Sequence, residues 1–376
     1  MTTEVRAPDQ VTLRRRGTGV TAYDPSASAG GYTLIPPQTD DGNVYLIDME
    51  GRIAHRWKLP VRPGRGAQLL PNGNLGFNGN HPDTPSHYGA WSLWHGGLFM
   101  EVTPEGKTVW QYEDKLHHHD AQWLAGGNLL YAAMEKMPEA SVARVQGGAP
   151  SRSLAPNEMY GDVIKEVNRK GELVWSWRAW EHLDIESFPV HPIFERGHWP
   201  LINGVFSARN GIVLMSLRTT SGVIGVERSS GAVKFRIPYG TVTQQHSPVE
   251  LANGNILIFD NGNLRPGIST TFSRVIEVNP ATGAIEWSYA DEMPAAFFSP
   301  YMGSAQRLPN GNTHVTESAT GRLFEVTREG RVAWEYVIPF FAPYPDKNTQ
   351  TYVPGHHNSV FKSFRYTAGE IPWLGA

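Results

Sequence analysis

The sequence predicts an all-β chain folded as a six-bladed β-propeller. Three observations predict it: a hairpin unit present in six copies, a second hairpin upstream of five of them, and a strand for the incomplete copy at the opposite end of the chain. The six copies are VYLIDMEGRIAHRW (44–57), FMEVTPEGKTVWQY (99–112), VIKEVNRKGELVWSW (163–177), VIGVERSSGAVKF (223–235), VIEVNPATGAIEWSY (275–289) and LFEVTREGRVAWEY (323–336). Each alternates apolar and polar residues around a Gly-containing turn, the signature of a β-hairpin. Their shared aromatics, Trp57, Trp110, Trp175, Phe235, Trp287 and Trp334, are expected to pack between blades.

The second hairpin reads QLLPNGNLGF (68–77), QWLAGGNLLY (122–131), VFSARNGIVLM (205–215), VELANGNILIF (249–259) and QRLPNGNTHV (306–315). Asn-Gly and Gly-Gly supply the positive φ of tight turns. The copy at 44–57 is preceded only by the lone strand Tyr32 to Ile35, and NSVFKSFRY (358–366) provides the strand it lacks. Joining the two termini closes the ring and removes its exposed edges. The expected organisation is an N-terminal tail over 1–31, a single propeller domain over 32–366 and a C-terminal tail over 367–376. Counting from the unit that begins near Arg65, the joined unit is blade six.

Composition agrees with this class. Thirty-nine Gly and 28 Pro among 376 residues suit many short strands and turns, and 33 basic against 36 acidic side chains exclude an ordinary basic nucleic-acid binder. The absence of cysteine excludes a disulfide framework, Cys-ligated metal and any thiol nucleophile. No run of about 18 apolar residues is present to span a membrane. The first thirty residues hold no apolar stretch of leader length, so the expectation is a cytoplasmic protein acting on a small molecule, with a homodimer left open. GTGVTA (17–22) imitates a dinucleotide fingerprint but follows no strand.

Long connections, 78–98, 133–162, 178–201 and 338–356, all join a second to a third strand or one blade to the next. Both kinds open on one face, which is therefore the expected site. The 133–160 insertion, with Met134, Met137 and Met159, could serve as a lid or a subunit contact. Aligning the innermost strands places Arg65, His119, Ile202, His246, Gly303 and His357 at one ring position. His119, His246 and His357 then alternate around the channel and should converge. Arg65, Asn203, Arg218, Asp260, Asn261, Ser304 and His356 are candidate substrate-binding groups near the mouth, and Arg265 a candidate catalytic cation. Trp91, Trp94, Trp180, Trp199 and Tyr301 could wall a planar substrate or pack their own loops. His55, His182 and His314 fall outside this register and are expected to be surface or core residues.

Convergent imidazoles allow two chemistries. Neutral His119, His246 and His357 could ligate a divalent metal ion that activates water or a substrate carbon, giving a lyase or hydrolase. Without metal, one imidazole could act as nucleophile while another and an arginine hold an anion. A noncatalytic ligand-binding propeller remains a third reading.

Five segments, HHDAQWLAGGNLLYAAM, GDVIKEVNRKGELVWSWRAWEHLD, QHSPVELANGNILIFDNGNLR, SRVIEVNPATGAIEWSYAD and GSAQRLPNGNTHVTESATGRLFEVTREGRVAWEY, together with the closing NSVFKSFRY, resemble the bacterial arylsulfotransferase family. The resemblance runs from about Tyr32 to Tyr366. It implies a six-bladed propeller that moves a sulfuryl group between phenols through a transiently sulfated histidine. It further implies that His246 in QHSP and Arg265 in FDNGNLR occupy functional positions, with His119 in HHDAQ on the same ring. Where the family reads His-x-Asn, this chain has Leu201-Ile202-Asn203, and Gly303-Ser304 offers no histidine either.

Overall fold

The computed structural model describes residues 9–374, so the first eight residues of the expected N-terminal tail and the last two of the C-terminal tail lie outside the described residues. Six antiparallel sheets surround a central channel, as the repeat predicts. Blade one is built from Pro63–Leu69, Leu75–Asn80, Gly97–Val102 and Thr108–Glu113, from channel to rim. Blade six closes the ring with Phe364–Tyr366 against Tyr32–Ile35, in register Tyr32 to Tyr366, followed by Asn43–Ile47 and Ile53–Lys58.

The repeat explains how neighbouring blades hold together. An indole on the outermost strand donates to a carbonyl of the next blade in five of six cases: Trp57 to Thr103, Trp110 to Arg169, Trp175 to Arg228, Trp287 to Arg328 and Trp334 to Met49. Phe235 occupies the sixth position and has no N–H to give. Behind these staples, the Asn side chains of the first hairpin turns reach buried glutamates on the third strand of the same blade: Asn74 to Glu101, Asn128 to Glu166, Asn255 to Glu277 and Asn312 to Glu325. An arginine from a neighbouring blade or terminal strand neutralises each, namely Arg169, Arg228, Arg328 and Arg365. A buried carboxylate requires such a partner.

Parts of the two expected tails join the propeller. Gly19–Tyr23 adds a fifth strand outside Val332–Val337 of blade five, and Ile371 is buried in the cluster formed by Leu34, Trp57 and Leu75. The long insertion of blade two packs inward, with Met134, Met137 and Met159 all buried within this chain. Gly147–Ala149 pairs in parallel with Val190–Glu195 above it. No helix among the described residues is long and apolar enough to cross a membrane.

Candidate active site

The innermost strands enter the ring through kinks rather than regular ladders. Residues at or beside the ring position take left-handed backbone, His119 at φ 53°, Ser247 at 51° and Met302 at 59°, and the ladders of these strands shift register there in blades one to four. Such kinks redirect a side chain out of the pleat, at a conformational cost that packing must offset. His119, Arg65 and His246 are thereby delivered to one cavity of about 140 Å³. A cavity of roughly 150 Å³ is large enough to hold a benzene ring.

Loops complete it. Leu93 and Trp94 come from the 78–98 connection, Tyr301 and Met302 from the blade four to five crossing, and Tyr344, Thr349 and Val353 from the 338–356 connection. Gln38 and Arg218 close the remaining sides, and no carboxylate lines the wall. Trp94, Tyr301 and Tyr344 provide an aromatic surface, and Trp94 stacks on His119 with ring centroids 5.4 Å apart. Of the other candidate wall residues, Trp91 and Trp199 are buried, and Trp180 packs against Gly161.

Two guanidiniums face this cavity with different duties. Arg65 donates to the carbonyls of Trp94 and Leu93 and lies over Phe361, so it also holds the 78–98 loop. Arg218 lies over the ring of Phe194, 5.0 Å from its centroid, and has no hydrogen-bond or carboxylate partner among the described residues. Burial lowers Arg65 to about 9 and Arg218 to about 10, so both remain cationic at neutral pH. A buried and a half-buried cation, with no acid among the lining residues, give the cavity a positive field suited to an anion.

The two imidazoles also differ. Asn261 gives its amide hydrogens to the carbonyls of Ser299 and Met302, so its oxygen accepts the Nδ1–H of His246 at 2.7 Å. His246 Nε2 then carries the lone pair and accepts the Met302 N–H at 3.2 Å. Both nitrogens are occupied. Burial, with the Arg218 charge, drives the His246 pKa down to about 3. His119 instead meets His118 through Nδ1 to Nδ1, at 2.9 Å, and its Nε2 has no partner among the described residues. Burial followed by the neighbouring His118 and arginines holds His119 well below the ordinary imidazole range, hence neutral.

Behind His119 lies a group that the sequence did not disclose. His118 Nε2 is 3.0 Å and His198 Nε2 3.2 Å from one oxygen of Asp162, and all three residues are buried. Asp162 comes from the third strand of blade two and His198 from a two-residue strand added beside it. Burial raises the pKa of Asp162, but the two imidazoles outweigh it and hold the carboxyl down at about 2. His198 Nδ1 lies 2.8 Å from the Tyr88 hydroxyl, which accepts the indole N–H of Trp94. No spacing in the sequence connects positions 118, 162 and 198.

Several expected site residues stand elsewhere. His357 does not join His119 and His246: its Nε2 bonds to the carbonyl of Pro354, its ring lies beside Tyr344, and His356 is exposed. The three histidines therefore form no metal site. The cause is a register error in the closing strand. Interblade amides pair Gln68 with Trp123, Gln122 with Ser207 and Gln306 with Arg365, so the residues equivalent to His119 are Asn203 in blade three and Phe361 in blade six. Ile202 sits in the core with Trp199, and Gly303 leaves no room for a side chain because Phe259 occupies that space.

Arg265 is also absent from the cavity, bound to Asp260, which is shared with Arg274. Asn203 donates to the Gln245 carbonyl, while Ser304 bonds to Thr316 and faces a lower channel cavity of about 240 Å³. Asn261 bonds to His246 and does not line the cavity. Thus His119, His246, Arg65 and Arg218 meet, and His357, His356, Arg265, Asp260, Asn203 and Ser304 do not join them.

The arylsulfotransferase (ASST) family model matches residues 92–338, roughly two thirds of the chain. The chain belongs to that family. No curated protein matches the sequence. Among solved structures, a protein of unknown function from Bacteroides caccae is 15% identical with a TM-score of 0.54, over 83% of this chain and 96% of that one. A streptogramin B lyase is 11% identical over 87% and 85% of the two chains with a TM-score of 0.46. The WD40 propeller domain of Doa1 is 10% identical over 86% and 84% with a TM-score of 0.44. These last two likenesses carry no functional argument. Family membership and fold together support an arylsulfotransferase-like enzyme.

Proposed function

We propose that this arylsulfotransferase-family protein transfers a sulfuryl group from an aryl sulfate to an aromatic hydroxyl, with His119 as the group that carries it. The observation behind this reading is the pairing of a partner-free His119 Nε2 with two cationic arginines in a cavity without carboxylates. The aryl ring of the donor lies against Trp94, Tyr301 and Tyr344, and its sulfate oxygens face Arg65 and Arg218.

For attack, His119 donates its Nδ1–H to His118 Nδ1, which leaves the Nε2 lone pair toward the cavity. That lone pair forms an N–S bond while the S–O(aryl) bond breaks, and the departing aryl oxide takes its proton from solvent. Negative charge growing on the leaving oxygen and the sulfuryl oxygens is met by the fixed guanidiniums, and the positive charge on His119 is shared toward His118 and Asp162. A second aromatic hydroxyl then attacks sulfur, losing its proton to solvent, and the N–S bond breaks. The lost Arg265 contact does not harm this scheme, because Arg218 supplies the cation from another blade.

Incubation with an aryl sulfate such as 4-nitrophenyl sulfate, without acceptor, should leave a sulfuryl adduct on the His119 peptide by mass spectrometry. Full turnover by His119→Ala would overturn the assignment.

A further inference from the structure

Four polar atoms of the group behind His119 are left without hydrogen bonds: His118 Nε2, His198 Nε2 and both carboxylate oxygens of Asp162, all buried. The two imidazole nitrogens approach the same oxygen at 3.0 and 3.2 Å, yet neither contact has the geometry of a hydrogen bond. No lysine or arginine is paired with the carboxylate among the described residues. Well-formed cores satisfy such groups, so an orphaned cluster of this density asks for something at its centre.

The geometry points to a divalent transition-metal site formed by His118, His198 and Asp162. One donor atom from each of the three residues lies within 4.8 Å of the others. Ligands about 2.0–2.1 Å from a tetrahedral ion stand about 3.3 Å apart, close to the two measured separations. Two imidazoles and one carboxylate suit zinc or cobalt rather than magnesium or calcium, which prefer all-oxygen shells. The outer contacts fit as well, because a ligating histidine usually donates its other N–H: His118 Nδ1 faces His119 and His198 Nδ1 faces Tyr88. The ion is not a substrate activator, since none of its ligands lines the cavity.

A consequence follows for catalysis, and it rests on the sulfuryl-transfer reading, whereas the metal site does not. A metal on His118 Nε2 leaves the hydrogen of that ring on Nδ1, where it is donated to His119. His119 must then carry its own hydrogen on Nε2, which removes the attacking lone pair. The loaded protein still holds the aryl sulfate between Arg65 and Arg218 but does not form the adduct. The metal is thus an off state of the transferase.

The test uses the full, untagged chain, produced with Co2+ or Zn2+ in the medium and, separately, stripped by chelator. Elemental analysis should find one equivalent per chain, and the cobalt form should show visible d–d absorption of a low-coordinate nitrogen and oxygen site. Both should disappear in His198→Gln and in Asp162→Asn, with circular dichroism confirming each fold; the spectrum of the unaltered protein remains decisive if either variant does not fold. Substoichiometric metal, or binding that persists in both folded variants, overturns the site. Loaded protein should form at least tenfold less His119 adduct than stripped protein. Stoichiometric metal with undiminished adduct would leave the site standing and overturn the off state.

Discussion

His119 Nδ1 lies 2.9 Å from His118 Nδ1, so the pair shares a single hydrogen between two fully buried rings. The direction of that one bond decides whether the cavity meets a lone pair or an N–H. Replacing His119 by Ala should therefore lower kcat/KM for aryl sulfate turnover by roughly 10³-fold or more, as expected for loss of a nucleophile. His118→Phe should lower kcat with little change in KM, because His118 touches no substrate. Steady-state kinetics on both variants checks the distinction.

Arg218 and Arg65 should separate in their effects. Arg218 makes no contact to backbone carbonyls, so Arg218→Ala should weaken the binding of aryl sulfate by about 10–100-fold, the equivalent of a charged hydrogen bond worth about 1.5–3 kcal/mol, with little change in Tm. Arg65→Ala should raise KM and lower Tm together, since the carbonyls of Leu93 and Trp94 lose their donor. Equal melting temperatures for the two variants would contradict the assignment of Arg65 to the loop.

Acid should destabilise the fold partly through His246. Its pKa is depressed from 6.5 to about 3 on folding, so the unfolded chain binds the proton more readily. The contribution is fully present above about pH 6.5 and is lost as pH falls toward 3, a loss on the order of 5 kcal/mol from about 1.4 kcal/mol per unit. Urea unfolding at pH 7 and pH 4 should show a smaller pH penalty for a folded His246→Asn variant than for the parent.

The interblade indoles give a graded prediction. Trp334 is fully buried and donates to Met49 across the blade five to six junction, so Trp334→Phe should cost about 1–3 kcal/mol through the unpaired carbonyl and lost packing. Trp287→Phe, whose donor bond to Arg328 is solvent-exposed, should cost about 1 kcal/mol or less. Denaturant midpoints at constant m-value measure both.

Blade number, closure by Phe364–Tyr366 against Tyr32–Ile35 and the packing role of Trp57 or Trp334 could all be read from the chain, because a hairpin repeat is a local pattern of alternation and turn residues. The same pattern picked out His119, His246, Arg65 and Arg218, which the structure brings to one cavity. It failed at His357 because blade six begins after an irregular stretch, and only the amide pair between Gln306 and Arg365 sets the register that puts Phe361 on the ring.

Local alternation, turn chemistry and composition were thus sufficient to determine a propeller and to point to the face on which the candidate cavity lies. Which side chains meet was decided only in three dimensions. Asp162 and His198 reach His118 from separate elements of one blade, and Arg218 lines the cavity while Arg265 is paired with Asp260 outside it. Those outcomes depend on kinks, charge pairing and interblade contacts between residues far apart in the chain, which no local spacing encodes.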